Sequence, residues 1–588
     1  MERGIGHKEM ATTDDTPLFN ALWAKLMIEE LAHHGVGLFC ISPGSYSTPL
    51  TVAAAQNPLI KTHVHYDERG IGFYALGYSK SSKCPAALIV TSGTAVANLL
   101  PAVMESHHDH IPLILITADR PPELRNSGAD QTTDQVKIFE NFIRWQVDMP
   151  CPNAKIPKKY IGSTISQAIS SATSPPAGPV HINCMLRQPF LPDVDTPIAQ
   201  SNGPIPQTTF MSGQSTLNPN DLKWLTNTLP KYEKGVILAS NVISERHIES
   251  LYALSHLLQW PIFPDILSSM RSAGIGQGVV PYYDLILKTT DANDKNFSPD
   301  AILQFGDRFV SKNLSDWITS NTPKMHCHVT PHIHNKDYTH SITHHIACTI
   351  DHFIRYFSRH LPEQPPSRWF RMWRALNEIT SHALDTFFKE EKELSEPLLF
   401  HHLSSTLTPS MGVFLSNSMP VRNAEAFFLP QTWVGPIFCN RGLSGIDGNI
   451  ASACGIARGL NKPILAILGD LAFLHDINSL SQIKNLRIKI LVINNNGGSI
   501  FSFLPIAQRR ELCSHFFTIP HGIELKCAAP LFGLSYTCPQ TLKTLQEVLT
   551  HPSYNFIEIQ TSPNQNVEIH QKILNYMREI QSSAKLTV

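Results

Sequence analysis

Two short apolar runs flank a helical period between Pro463 and Pro505, in PILAILGDLAFLHDINSLSQIKNLRIKILVINNNGGSIFSFLP. The run 464–468 stops at Gly469-Asp470, the period Leu474, Ile477, Leu480, Ile483 follows, and the run 490–493 stops at Asn494-Asn495-Asn496-Gly497-Gly498. Apolar runs of this length, bounded by turn residues, predict strands, so the stretch reads as strand, helix, strand. Such a crossover joins parallel strands, and their carboxyl ends face the ligand crevice of an open sheet. Asp470 and Asn495, 25 positions apart (495 − 470), are then expected on one edge. A carboxylate and an amide oxygen suit Mg²⁺, which accepts one or two protein oxygens plus a backbone carbonyl, phosphate oxygens and water. Gly497 and Gly498 are expected to let the backbone approach a diphosphate, and Leu471 to begin a helix whose free N–H groups favour the anion. An ordinary crossover with a polar loop is the competing reading of the same residues.

At 588 residues the chain is too long for one core, and three or four domains are expected. Lys and Arg total 47 against 48 for Asp and Glu, so no bulk field recommends nucleic acid or an anionic membrane as partner. The start MERGIGHKEMATTDDT lacks an apolar signal core, and no later run approaches the roughly 20 residues of a membrane span. A cytoplasmic, soluble protein is expected. Its 11 Cys form no CxxC pair, and Cys40, Cys184 and Cys454 lie among apolar or small neighbours, as reduced core residues do.

Along the chain, an amphipathic period over 18–34 leads to three apolar runs, 38–41, 87–90 and 113–116. They end in Ser42-Pro43-Gly44-Ser45, Thr91-Ser92-Gly93-Thr94 and Thr117-Ala118-Asp119-Arg120, turns that a parallel, doubly wound sheet would line up on one edge. Glu68 stands just before a glycine-rich helical stretch, where a carboxylate is ordinarily a cap or surface charge. A Pro-rich polar stretch reads as a linker, and runs at 235–239, 301–305 and near Met325 form a smaller middle domain. A helical segment over 369–391 opens the last domain. The expected division is 1–190, a linker 191–220, 221–361 and 362–588, with an α/β fold of three domains, each a mostly parallel sheet flanked by helices. Gly274, Gly276 and Gly278 read as a loop, not a dinucleotide fingerprint. His326, His328, His332, His334, His340, His344 and His345 read as a solvated loop and edge strand, with transition-metal binding as the alternative.

Gly469-Asp470 followed at this spacing by Asn494-Asn495 resembles the metal-diphosphate signature of thiamine-diphosphate-dependent enzymes. The variant GDL with NNNGGSIF is similar to one branch, the synthases of menaquinone synthesis that make 2-succinyl-5-enolpyruvyl-6-hydroxy-3-cyclohexene-1-carboxylate (SEPHCHC). SPGSYSTPL, HYDERGIGF, TSGTAVANL and TADRPPELRNSGADQ resemble the pyrimidine-binding domain of that family in order and spacing. The resemblance implies thiamine diphosphate with Mg²⁺, or Mn²⁺, held by Asp470, Asn495 and Gly497. It implies that Glu68 activates the cofactor at its aminopyrimidine nitrogen. Ser418, Ile446, Gly498, Ser499, Ile500 and Phe501 would complete the cofactor site. It further implies a homodimer or dimer of dimers, with the cofactor between the first domain of one subunit and the third domain of another.

The family reaction decarboxylates 2-oxoglutarate and adds the resulting succinyl-semialdehyde carbanion to isochorismate. Arg422 and Arg441, in NSMPVR and NRGLSGIDG, match the clamps for 2-oxoglutarate carboxylates, and guanidinium forks suit carboxylates. Leu504 matches an apolar wall of the substrate site. Ser45, Arg120, Gln131 and Lys312 match the isochorismate side, with Arg308 as a further cation. Three residues depart there: Tyr46 replaces Arg, Asp130 replaces Asn, and Asn313 stands where a second cation would follow Lys312. Tyr46 is expected to donate a hydroxyl bond in place of the missing charge. Another thiamine-diphosphate decarboxylase or carboligase with a changed acceptor, and a non-catalytic paralogue, are the alternatives.

Overall fold

The computed structural model describes residues 14–193, 208–211, 213–272, 276, 278–291, 294–332, 337–391, 393–408, 410–429 and 435–585. Two compact units divide the chain, Met1–Met211 and Ser212–Val588.

The first unit holds a six-stranded sheet of β1 (Leu38–Ile41), β2 (Lys61–Val64), β3 (Ala86–Val90), β4 (Leu113–Asp119), β5 (Trp145–Met149) and β6 (Pro179–Met185). All neighbours are parallel, in the order β2-β1-β3-β4-β6-β5. β3, β4 and β6 are buried along their whole length. Leu31 and Ile165, from helices Thr16–His33 and Lys158–Thr173, share one core with Ile89 and Ile116. Burial on both faces is why these strands read as continuous apolar runs. β2 and β5 lie outside the expected elements. Both are half-exposed edge strands, where polar residues dilute the apolar signal.

The second unit holds two more parallel sheets. β7 (Gly235–Ala239), β8 (Ile262–Pro264), β9 (Ala301–Phe305), β10 (Met325–Thr330) and β11 (His344–Ala347) run in the order β11-β10-β9-β7-β8. β12 (Gly412–Leu415), β13 (Ile437–Phe438), β14 (Ile464–Gly469), β15 (Ile488–Asn494), β16 (Tyr536–Thr537) and β17 (Phe556–Gln560) run in the order β13-β12-β14-β15-β17-β16. Counted from its own first strand, this last sheet repeats the strand order of the first. The long helix Arg368–Glu390 runs from the first of these sheets to the second: Trp369 donates from Nε1 to the Gly235 carbonyl, Trp373 packs edge-on to Phe263 at 4.7 Å, and near the other end Phe388 meets Phe427, in the helix after β12, edge-on at 6.2 Å.

Two expectations are corrected. His326 and His328 do not lie in a solvated loop; they belong to β10, an interior strand buried throughout. His326 is bonded to Gln304 and Ser341, and burial pushes its imidazole down to about 4, so it is a neutral core residue. His334 and Gly274 lie outside the described residues. The period 474–483 is not one helix but an α-helix, Asp470–His475, and a 3₁₀-helix, Ile477–Gln482. Asp476, fully buried at the break, accepts the Ala451 backbone N–H and the Ser479 hydroxyl, which pins the chain where the α-helix ends. Among the described residues no helix is long and apolar enough to cross a membrane.

Candidate active site

The strand order places the turns after β12, β14 and β15 side by side on the carboxyl edge of the last sheet. β14 ends at Gly469, just before the buried Asp470, and β15 delivers Asn495 beside it. Asp470 Oδ2 accepts the backbone N–H of Asn495 at 3.1 Å and of Gly497 at 2.8 Å, while Oδ1 accepts that of Leu471 at 2.7 Å. Burial pushes the Asp470 carboxyl above the ordinary carboxylate range, against the pull of the Gly497 and Leu471 N–H groups. A cation beside it would restore the charged form.

The Asn495 amide is fixed from behind. Its Nδ2 donates to Ser499 Oγ at 2.7 Å and to Glu396 Oε1 at 3.2 Å, and its Oδ1 is buried with no partner among the described residues. Both amide hydrogens are occupied, so the free oxygen is the ligand the site offers. A buried amide oxygen left unpaired costs stability unless something binds it. With the Asp470 carboxylate adjacent, the donor set is hard oxygen and fits Mg²⁺.

Gly497 has a φ of +140°, and a Cβ there would lie 2.1 Å from the Thr518 carbonyl. This glycine is required by the close approach of the segment Ser514–Thr518, whose Thr518 carbonyl also accepts the Gly498 N–H at 2.7 Å. The expected approach of a diphosphate is therefore not the only demand on it. The expected helix N-terminus at Leu471 supplies less than anticipated, because Asp470 Oδ1 already takes the Leu471 N–H.

Beside the clamp, Arg441 donates from Nη1 to Asn417 Oδ1 at 3.0 Å, and Arg422 donates to the Ser418 carbonyl at 2.7 Å. Ser418 starts the helix Met419–Phe427 with a φ of +73°. Partial desolvation first, and the like charge of Arg441 second, hold the Arg422 guanidinium below its usual range. Two cations crowded together in this way favour an anion between them. Ile446 and Leu504 are not core residues: they are 37% and 46% exposed. Phe501 packs edge-on to Phe517 at 5.3 Å, and Ile500 is half-buried.

Two partners of the clamp escape sequence reasoning. Glu396, 1% exposed, binds Asn495, Asn423 and Thr561, and burial raises its carboxyl. In sequence it is an acidic residue between Ser395, an N-cap, and Pro397, which reads as ordinary helix-start chemistry. His521 approaches Asp470 Oδ2 at 3.4 Å from a loop with no sequence signal.

In the first unit the turns after β1, β3 and β4 line the corresponding edge. Glu68 opens the helix Glu68–Ser82, but the cap is Asp67, whose carboxylate accepts the N–H groups of Arg69 and Gly70. Glu68 is half-exposed and makes no hydrogen bond or ion pair among the described residues, so capping does not explain it. Arg120 is buried and stacks on the Tyr46 ring, and Asp130 contributes its carbonyl, not its exposed carboxylate, to Arg120. Gln131, with a φ of +53°, lies against Gly93, and Ser45 is exposed.

In the second unit, Lys312 is 83% exposed and paired with Asp316 one helical turn on, while Asn313 donates to Asp284. Neither is held toward a ligand by these contacts. Arg308 donates to the Arg441 carbonyl at 2.6 Å, tying the middle sheet to the donor side.

A family model described as "Thiamine pyrophosphate enzyme, N-terminal TPP binding domain" matches residues 23–138, and one described as "Middle domain of thiamine pyrophosphate" matches residues 215–415. A protein of Rubrobacter xylanophilus named 2-succinyl-5-enolpyruvyl-6-hydroxy-3-cyclohexene-1-carboxylate synthase is 37% identical over 568 residues, covering 95% of this chain and 99% of its own. Proteins of the same name from Salinibacter ruber and Bacillus velezensis are 37% and 34% identical, each over 95% of this chain and 97% and 98% of their own. Identity of this extent decides the family: the protein belongs to the SEPHCHC synthases, a family of thiamine-diphosphate-dependent enzymes.

Proposed function

We propose that the protein is a SEPHCHC synthase of menaquinone synthesis, decarboxylating 2-oxoglutarate and adding the remaining four-carbon unit to isochorismate. The observation that carries the reading is the unpaired, buried Oδ1 of Asn495 beside the Asp470 carboxylate. Asp470, Asn495 and the Gly497 carbonyl would hold Mg²⁺, or Mn²⁺, against the diphosphate, and Ser418, Gly498, Ser499, Ile500, Phe501 and Ile446 would hold the rest of the cofactor. When bound, thiamine diphosphate supplies a nucleophilic carbon and an electron sink.

The chain's own residues then do four things. Glu68 holds and returns a proton at the aminopyrimidine nitrogen. Arg422 and Arg441 bind and orient the two carboxylates of 2-oxoglutarate. Ile446 and Leu504 exclude water from the reacting carbon, which favours carboligation over simple protonation. Ser45, Arg120 and Gln131 bind isochorismate, with Lys312 and Arg308 as further cations. The assembly is a homodimer or dimer of dimers in which Glu68 serves the clamp formed by the partner subunit's Asp470. Exposed apolar side chains support it: Leu59, Val64 and Tyr66 before Glu68, and Phe516, Ile519 and Leu531 around and beyond the clamp segment. The domain limits at 190, 220 and 361 belong to the same proposal.

A steady-state assay with 2-oxoglutarate and isochorismate, with and without added Mg²⁺ and thiamine diphosphate, tests the reading. Product that depends on all four supports it. Release of CO₂ without carboligation, or faster turnover of pyruvate than of 2-oxoglutarate, overturns it.

A further inference from the structure

The turn after β1 carries Tyr46, and the turn after β4 carries Arg120; β3 lies between them in the sheet. The Arg120 guanidinium carbon sits 3.4 Å from the centre of the Tyr46 ring, and Phe190 meets the same ring edge-on at 4.6 Å. Arg120 is otherwise held by a bond from Nη1 to the Ser92 hydroxyl and one from Nη2 to the Asp130 carbonyl. Its backbone N–H goes to Asp119. These contacts fix the plane of the fork and use two of its five N–H donors.

Arg120 is buried, yet among the described residues no carboxylate pairs with its guanidinium. A buried cation without a counter-ion is costly, and the ring face beneath it offsets part of that cost. The remaining donors are left for an anion. The Tyr46 hydroxyl, by contrast, has no hydrogen-bond partner among the described residues. The ring, not the hydroxyl, is the part of Tyr46 engaged.

We propose that Tyr46 is a positioning residue that sets acceptor affinity by holding the Arg120 guanidinium flat on its ring, so that the free N–H donors of Arg120 meet a carboxylate of the acceptor. This corrects the expectation that Tyr46 donates a hydroxyl bond in place of the missing arginine. One cation with a fixed plane stands in for two cations. The inference rests on the assignment of Arg120 to the isochorismate side made above.

The test is a steady-state comparison of the full-length holoenzyme with Tyr46→Phe, Tyr46→Leu, Arg120→Lys and the Tyr46→Leu/Arg120→Lys double variant, with thermal midpoints measured alongside. Tyr46→Phe keeps the platform and stays within about twofold of the parent in every constant. Tyr46→Leu raises the isochorismate KM about tenfold, with kcat and the 2-oxoglutarate KM changed less than about threefold. In the Arg120→Lys background, where no planar fork remains to be held, the Leu substitution adds less than about twofold. Equal losses for Phe and Leu overturn the inference in favour of the hydroxyl. A Leu variant that raises both KM values and lowers the thermal midpoint overturns it in favour of packing alone. A parent enzyme that consumes no isochorismate overturns the functional reading and the inference together, whereas the first two failures leave that reading standing.

Discussion

The first and last sheets share one strand order, 2-1-3-4-6-5, and yet their corresponding turns offer opposite kinds of partner, oxygen acceptors in one and N–H donors in the other. After the third strand the last sheet has Asp470 where the first has Thr91-Ser92-Gly93, and after the fourth it has Asn495 where the first has Arg120. In the last sheet the two turns are fastened through oxygen acceptors, leaving the Asn495 oxygen unpaired, a site for a cation. In the first they are fastened through a guanidinium on a hydroxyl, leaving donors unpaired, a site for an anion. After the second strand the order inverts, with Glu68 in the first sheet and Arg441 in the last. The scaffold fixes where chemistry sits. A few turn residues fix its sign.

Substitutions on each edge break the comparison in measurable steps. Glu68→Gln is expected to lower kcat about a thousandfold while thiamine diphosphate still binds, because proton holding is lost and the diphosphate clamp is untouched. Retained turnover would place the acid elsewhere. Glu396→Ala frees the Asn495 amide to turn its nitrogen outward, so Mg²⁺ affinity in a direct titration should fall about thirtyfold. Asn423→Ala removes another partner of Glu396 and should cost much less; equal losses would mean that Glu396 only packs. Arg441→Lys keeps the charge but loses the fork, and the KM for 2-oxoglutarate should rise about tenfold. An unchanged KM would move the donor carboxylate to Arg422 alone.

The long apolar runs were legible because parallel strands buried on both faces carry a pattern that no loop imitates. β3, β4, β14 and β15 are of this kind, and Asp470 and Asn495 follow directly from where such runs end, whereas Glu68, beyond the exposed edge strand β2, is marked only by the family resemblance. Edge strands escaped: Lys61–Val64 and Trp145–Met149 are half-exposed and carry no continuous apolar run. His326 was misplaced because a buried imidazole satisfied by Gln304 and Ser341 needs partners that lie far off in sequence, and His328 because it shares the same buried strand, with Asp307 at 3.3 Å. The same holds for Glu396, which acts on a residue 99 positions away. Tyr46 was identified as a departure from the family pattern, but its stacking on Arg120 depends on a contact across an intervening strand.

The smallest expected effect separates the two sheets by pH. The third residue of β6 is His181 and the third of β17 is Glu558, the same slot in the shared topology, and both are buried. Glu558 is met by Asn494, Tyr536 and Gln560, three donors that suit a carboxylate. His181 has the Thr117 hydroxyl at 2.7 Å and the edge of Phe139 at 5.0 Å, and burial pushes its imidazole down to about 4, with Asp148 pulling weakly upward. Its folded pKa lies below the unfolded value of about 6.5, so the unfolded chain binds the extra proton first. The stability contributed by neutral His181 is thus complete above about pH 6.5 and is lost progressively as pH falls toward 4. Between pH 7 and pH 5.5 the parent protein should lose about 1 kcal/mol more than His181→Gln, which keeps a polar partner for Thr117 but does not titrate. Urea unfolding of both proteins at the two pH values measures the difference. Parallel losses would mean that His181 is protonated in the folded protein and that the two slots are less different than their residues.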